Sequence, residues 1–259
     1  MADTVYAEID GSVATVVLNR PNKLNALDLA EWILISELFS EMGADNSLRC
    51  VILRGATERA FSAGADIAAF ETTRNTPEQV RHYGEVIGNT LTSIKTCQHP
   101  VIAAIQGVCV GGGLELASAC DLRICGESSR FGAPINKLGL TMSYAEIETL
   151  RDLSGTAGAL EVLLAGEVFT AQRAYELGLV TKVYADDETL DAAYALAHHI
   201  AERAPLVNRW HKKFVRRLAG PTPLSPTELD EGFAAFETED YRIGYETFLA
   251  KTKPKFEGR

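Results

Sequence analysis

Apolar positions recur with a period of two at the start of the chain, where Val5, Ala7 and Ile9 are separated by Tyr6, Glu8 and Asp10. Such alternation predicts a strand with one buried face. Gly11 and Ser12 mark a turn, and Val13 to Leu18 is β-branched and apolar, so a hairpin opens the fold. The period then becomes helical. Leu29, Trp32, Ile33, Leu38 and Met42 carry helical periodicity, and Asp28 followed three residues later by Glu31 has the spacing of a capping box. Cys50 to Leu53 reads as a short buried strand.

Thr76 as N-cap and Pro77 at the first helical position predict a second helix running to about Lys95. Pro100 closes the gap before a strand over Val101 to Ile105. Gly111, Gly112 and Gly113 then lead into a short helix over Leu114 to Cys120, and Leu122 to Cys125 returns as a strand. Alternating strands and helices give an α/β class. After Arg130 the pattern is mainly helical, with Thr170 as an N-cap, Gly178 as a C′ residue and Leu179 to Val183 as a last strand. Beyond Asp187 no strand signal is convincing. Pro205, Pro221, Pro223 and Pro226 punctuate helical stretches, which divides the chain into a core over 1–199 and a helical appendage over 200–259.

Composition narrows the class. With 259 residues, 46% hydrophobic and 23% charged, the chain falls with globular proteins. At this size folding buries roughly 75% of the surface of the extended chain, so no disulfide or metal staple is needed. Cys50, Cys97, Cys109, Cys120 and Cys125 are odd in number, lack CxxC spacing and read as reduced core residues. The first residues lack the order of a signal or transit peptide. The apolar stretch Val101 to Val110 is too short to span a bilayer. These features predict a cytoplasmic protein with no membrane partner.

The formal net charge of -10 opposes general attraction to nucleic acid, so no nucleic-acid partner is expected. The last nine residues are the exception. Lys251, Lys253, Lys255 and Arg259 against Glu257 make them +3, either a solvated basic tail or a local phosphate site.

Between Thr96 and Leu122 the only formally charged residues are Glu115 and Asp121, and Glu115 lies in the apolar run VCVGGGLELASAC. Burial favours the neutral form of such a carboxyl and raises its pKa, which suits a group that must both accept and release a proton. The alternative is a Glu that reaches solvent or bonds the amides at its helix start. The triple glycine permits backbone N–H groups to face a cavity, although close strand–helix packing also uses glycine. Glu115 follows Gly112 by about one helical turn, so both can face one hollow. The small-residue turn Ser62-Ala63-Gly64-Ala65-Asp66, before a helical stretch capped by Asp66, offers either another exposed amide or an ordinary tight loop. Two amide donors and one buried carboxyl form a minimal set for stabilising an enolate while a proton moves at the neighbouring carbon.

Other chemistries lack their motifs. GxGxxG, GxxxxGK[ST] and GxSxG are absent, and His82, His99, His198, His199 and His211 have no metal-ligand spacing, so no metal site is expected.

Four segments, NRPNKLNAL, AFSAGADI, HPVIAAIQGVCVGGGLELASACDLRI and FGAPINKLGL, resemble the enoyl-CoA hydratase/isomerase (crotonase) superfamily. They run in order from Asn19, the likeness extends to Val183, and the ending FLAKTKPKFEGR is similar to that family's C-terminus. The resemblance implies a spiral of ββα units with C-terminal helices, a homotrimer or hexamer, and an acyl-CoA substrate of the kind handled in fatty acid metabolism. It implies no permanently bound cofactor, coenzyme A entering as part of the substrate. By motif position the thioester oxygen would be held by the amides of Ala65 and Gly112, with Glu115 as the catalytic acid. Substrate and CoA contacts would come from Lys23, Leu24, Ala26, Ala63, Asp66, Ile67, Gly111, Pro134, Ile135 and Leu138, and from Phe248 and Lys251 in the tail.

The sequence departs from the family in two nearby places. Hydratases usually carry a second glutamate in FGxPE, whereas here Phe131-Gly132-Ala133-Pro134 is followed by Ile135. The glycine-rich PGxGGTQR is replaced by Met142-Ser143-Tyr144-Ala145-Glu146-Ile147-Glu148-Thr149. Adding water to a double bond needs an activated water as well as a proton, tasks that paired carboxylates commonly share. Tyr144, Glu146 and Glu148, on a helix expected over 143–153, are the candidates to replace the missing acid or to lie on the surface. The resemblance therefore implies a hydratase-type lyase, with a double-bond isomerase or another single-Glu reaction as the alternative. A CoA-binding or assembly protein without catalysis is the alternative of a different class.

Overall fold

The computed structural model describes residues 3–259. An antiparallel hairpin, β1 (Val5–Asp10) and β2 (Val13–Leu18), opens the chain, with Gly11 at positive φ in its turn. Helix α1 (Leu29–Ala44) starts at the expected box: Asp28 accepts the Ala30 amide at 3.1 Å, and Glu31 accepts the Asp28 amide at 2.9 Å. Its inner face carries Trp32, Ile35 and Phe39, all essentially without solvent exposure. Three similar units follow. The first comprises β3 (Cys50–Gly55), β4 (Ala60–Ser62), the single turn α2 (Phe70–Thr73) and α3 (Pro77–Thr96). The second is β5 (Val101–Ile105), β6 (Val108–Val110) and α4 (Gly112–Ala119), and the third β7 (Leu122–Gly126), β8 (Arg130–Gly132) and α5 (Tyr144–Ala165). The chain continues through β9 (Val168–Thr170), α6 (Ala171–Glu176), β10 (Lys182–Tyr184), α7 (Thr189–Ala201), α8 (Pro205–Leu218), α9 (Pro226–Glu231) and α10 (Glu239–Ala250).

Each of these three ββα units gives its first strand to one sheet and its second strand to another, which is the spiral. The larger sheet has the order β1-β2-β3-β5-β7-β10, parallel beyond the opening hairpin; the smaller runs β4-β6-β8-β9. Strands buried on both faces need continuous apolar runs, and β2, β3 and β5 supply them. One core cluster lies between the larger sheet and helices α1 and α3 to α6; a second, built on Cys50, Ile52, Ile102 and Ile124, is covered by α7. All five cysteines are buried free thiols, and burial pushes Cys50, Cys120 and Cys125 up to about 12. No helix among the described residues is long and apolar enough to cross a membrane.

Two expectations are corrected, and one sheet is added to them. The smaller sheet is built from strands of three residues each, too short for a two-residue period to register, and only its scaffold partners were legible. The last strand is Lys182–Tyr184; Leu179 and Val180 are buried in the turn that precedes it. The helix expected over 143–153 runs as α5 to Ala165, across a break at Gly155 with φ 66° and ψ 177°.

Candidate active site

The loop after β4 and the loop after β6 meet through glycine. A Cβ built on Gly64 would lie 2.8 Å from the Val110 carbonyl oxygen and 3.2 Å from the Gly112 nitrogen. Gly64 has φ +89° and Gly111 φ +51°, so both the contact and the backbone conformation require glycine. On the other side, the Leu27 amide donates to Gly64 O and the Asp66 amide to Leu27 O, each at 2.7 Å. Alternate residues of an extended segment direct their amides to opposite sides, so this clamp turns the intervening Ala65 N–H away from Leu27. The N–H of Gly112 is one of the unsatisfied donors at the start of α4. Neither amide has an acceptor among the described residues, and both residues line one cavity.

That cavity has a volume of about 190 Å³. It is smaller than the roughly 300–1,000 Å³ of a complete small-molecule site, so it fits the acyl end of a larger ligand. Glu115 lines it, 6% exposed, one turn after Gly111 and Gly112 on α4, with its amide donating to Gly111 O at 3.0 Å. Desolvation holds the Glu115 carboxyl well above the usual carboxylate range, and the adjacent Glu146 carboxyl pushes it further in the same direction; Arg74 opposes weakly. Glu146 lines the same cavity from the first turn of α5, where its carboxylate accepts the Ser143 N–H. An anion is favoured at a helix N-terminus. Two carboxyls therefore face each other beside two free amides.

Of the three replacements for the missing acid, the fold brings only Glu146 to Glu115. Tyr144 is 94% exposed, and Glu148 pairs with Lys95 at 3.3 Å on the surface. Helical spacing explains the separation, since residue 146 lies about 200° from both 144 and 148, which share the other face about 40° apart. Ile135 takes the place of the usual glutamate as an apolar wall, with Pro134 and Leu138 from the same turn. Ala63, Ile67 and Gly111 also line the cavity as expected.

Lys23, Leu24, Ala26 and Asp66 do not line this cavity. Asp66 has no side-chain cap bond at the following helical turn, contrary to expectation. Its carboxylate instead accepts Lys23 Nζ at 2.6 Å and Arg20 at 3.0 Å, and the Lys23 hydrogen bond chiefly holds it below the ordinary value. Leu24 O accepts the Ala63 amide at 2.9 Å and Ala26 O accepts Arg20 at 2.7 Å. These residues brace the loop that presents Ala65. Phe248, 82% exposed, and Lys251, at φ 57°, belong to the end of α10 and are not part of the cavity wall. Cavity residues that escaped the sequence reading include Trp32, whose ring a Cβ on Gly112 would meet at 2.9 Å, Phe70 and Arg74.

Residues 8–259 match the family model described as enoyl-CoA hydratase/isomerase. The chain is 33% identical over 255 residues to the short-chain-enoyl-CoA hydratase of Clostridium acetobutylicum, covering 97% of this chain and 96% of that protein. It is 29% identical over 262 residues to the crotonyl-CoA hydratase of Syntrophomonas wolfei, covering 98% of each. Among solved structures, an enoyl-CoA hydratase/carnithine racemase from Magnetospirillum magneticum superimposes with a TM-score of 0.98 at 46% identity, covering 100% of this chain and 97% of that one. The likeness therefore spans both sheets, the paired loops and the C-terminal helices, and the chain belongs to the enoyl-CoA hydratase/isomerase family.

Proposed function

We propose that this enzyme adds water reversibly to the double bond of a short-chain enoyl-CoA, with Glu115 and Glu146 sharing the proton transfers. The observation that carries the reading is the pairing of these two carboxyls in a cavity that also contains the free Ala65 and Gly112 amides. Relatives named short-chain-enoyl-CoA hydratase and crotonyl-CoA hydratase support the choice of reaction.

Burial, and then the neighbouring Glu146 carboxyl, favour the protonated form of Glu115. The Glu146 carboxylate, anchored on the Ser143 N–H, takes a proton from water as the water oxygen bonds to the β-carbon. Electron density moves to the thioester oxygen, where the Ala65 and Gly112 amides stabilise the enolate. Glu115, buried and protonated, delivers its proton to the α-carbon, and the proton gained from water restores the pair. The product is a 3-hydroxyacyl-CoA. Apolar walls from Ile67, Ile135 and Met142 exclude bulk water around the reacting carbons.

Turnover of crotonyl-CoA in heavy-oxygen water tests the reaction class. Hydration places one labelled oxygen in the acyl product; a mass-neutral product with a shifted double bond identifies an isomerase, and binding without any product identifies a non-catalytic CoA protein. The exposed Phe233 and Phe236 between α9 and α10, with Phe248 and Leu249 on α10, form the surface we assign to assembly of the trimer or hexamer. Sedimentation of the intact chain checks that assignment.

A further inference from the structure

Arg74 is a cation in the cavity wall with no anion of its own. It follows α2, and its guanidinium carbon lies 3.7 Å from the centroid of the Tyr83 ring and 4.5 Å from that of Phe70. Its buried Nε–H has no acceptor, and it makes no ion pair with any carboxylate among the described residues. Trp32 and Arg74 both approach the Tyr83 hydroxyl, which also lies 3.5 Å from Leu27 O. Buried donors are ordinarily satisfied, and a guanidinium stacked between rings is held with its planar fork in a fixed orientation.

A plain alkyl chain would leave the Arg74 Nε–H unmatched. If Arg74 served only to balance Glu115 and Glu146 it would pair with one of them; instead it is stacked on the aromatic rings, and its pull on Glu115 is the weakest of the influences there. Resting on the hydratase reading, we propose that the preferred substrate is an enoyl-CoA whose short acyl group ends in a carboxylate, which Arg74 receives. Arginine forms a two-bond fork with a carboxylate, which gives both charge and direction to recognition. Arg74 lines the same cavity of about 190 Å³ as Ala65 and Gly112, so a short acyl group can place its far end at Arg74 while the thioester lies against those amides.

Calorimetric binding of glutaryl-CoA and butyryl-CoA, which differ only in the terminal carboxylate, tests the proposal without requiring turnover. The native protein is expected to favour glutaryl-CoA by about tenfold or more, equivalent to about 1.4 kcal/mol. Arg74→Met should bring the affinity ratio to about one, and Arg74→Lys, which keeps the charge but not the fork, to an intermediate value. A ratio near one in the native protein, or a preference that survives Arg74→Met, overturns the proposal. Hydration of crotonyl-CoA and glutaconyl-CoA is measured alongside. Preference in binding with no hydration of either defeats the hydratase reading alone; hydration of crotonyl-CoA with no binding preference defeats the carboxylate proposal alone.

Discussion

Replacing Gly64 by alanine perturbs the contact that brings the two amides together. The new Cβ would stand 2.8 Å from Val110 O and 3.2 Å from Gly112 N, both backbone atoms that no rotamer change can move. A non-glycine residue at positive φ costs about 1–2 kcal/mol, and overpacking costs about 1–3 kcal/mol. The sum, roughly 2–5 kcal/mol, lowers Tm by roughly 5–15 °C for a chain of this size. Separation of the loops also displaces the Gly112 donor, and loss of one such donor slows reaction by about 10²–10³. Gly11→Ala is the control. Gly11 also has positive φ, +58°, but an added Cβ meets nothing within 4 Å, so this variant carries the backbone cost alone and keeps native kcat. Crotonyl-CoA hydration is measured well below both melting transitions. A folded Gly64→Ala enzyme with native kcat would refute the claim that glycine contact sets the distance between the donors.

Glu115→Gln should lose at least about a hundredfold in turnover yet gain stability at neutral pH. The native state raises this carboxyl's pKa above 4.5, so its ionisation destabilises the fold as pH rises; below the unfolded value both states hold the proton and the penalty vanishes. Each tenfold weakening of the acid corresponds to about 1.4 kcal/mol, read as a denaturant gap between variant and native protein that closes toward pH 4. Glu146→Gln should cost about a hundredfold or more in kcat, whereas Glu148→Gln and Tyr144→Phe stay within about twofold, because those side chains lie on the surface. His99 gives the opposite pH slope. It is fully buried, its Nε2 lies 3.1 Å from Met42 O and 3.0 Å from Asp45 O, and desolvation lowers it to about 4. Its contribution is complete above about 6.5 and falls through about pH 4, roughly 3 kcal/mol in all, so the pH dependence of unfolding should flatten in His99→Gln.

Local chemistry made the frame legible. Asp28 with Glu31, and Thr76 with Pro77, declared where α1 and α3 begin because caps satisfy donors within a few residues of themselves. Glu115 was legible because a lone carboxyl in an apolar run has few tolerable environments. The strands of the smaller sheet were not, since three residues carry too little period. Choosing among Tyr144, Glu146 and Glu148 required the start of α5, for which Ser143 followed by Glu146 was the available signal. Asp66 looked like a ligand or cap, but its partner Arg20 lies 46 positions away and only folding brings them together. Arg74 gave no signal, because its meaning comes from two rings on separate elements and from the carboxylate it lacks.

Exchange of the α-hydrogens of butyryl-CoA in heavy water, followed by mass, tests enolate stabilisation and proton movement without the water-addition step. The account predicts deuterium uptake by the native enzyme and a rate at least about a hundredfold lower in Glu115→Gln with CoA binding retained. Undiminished uptake by the folded Glu115→Gln enzyme would contradict it.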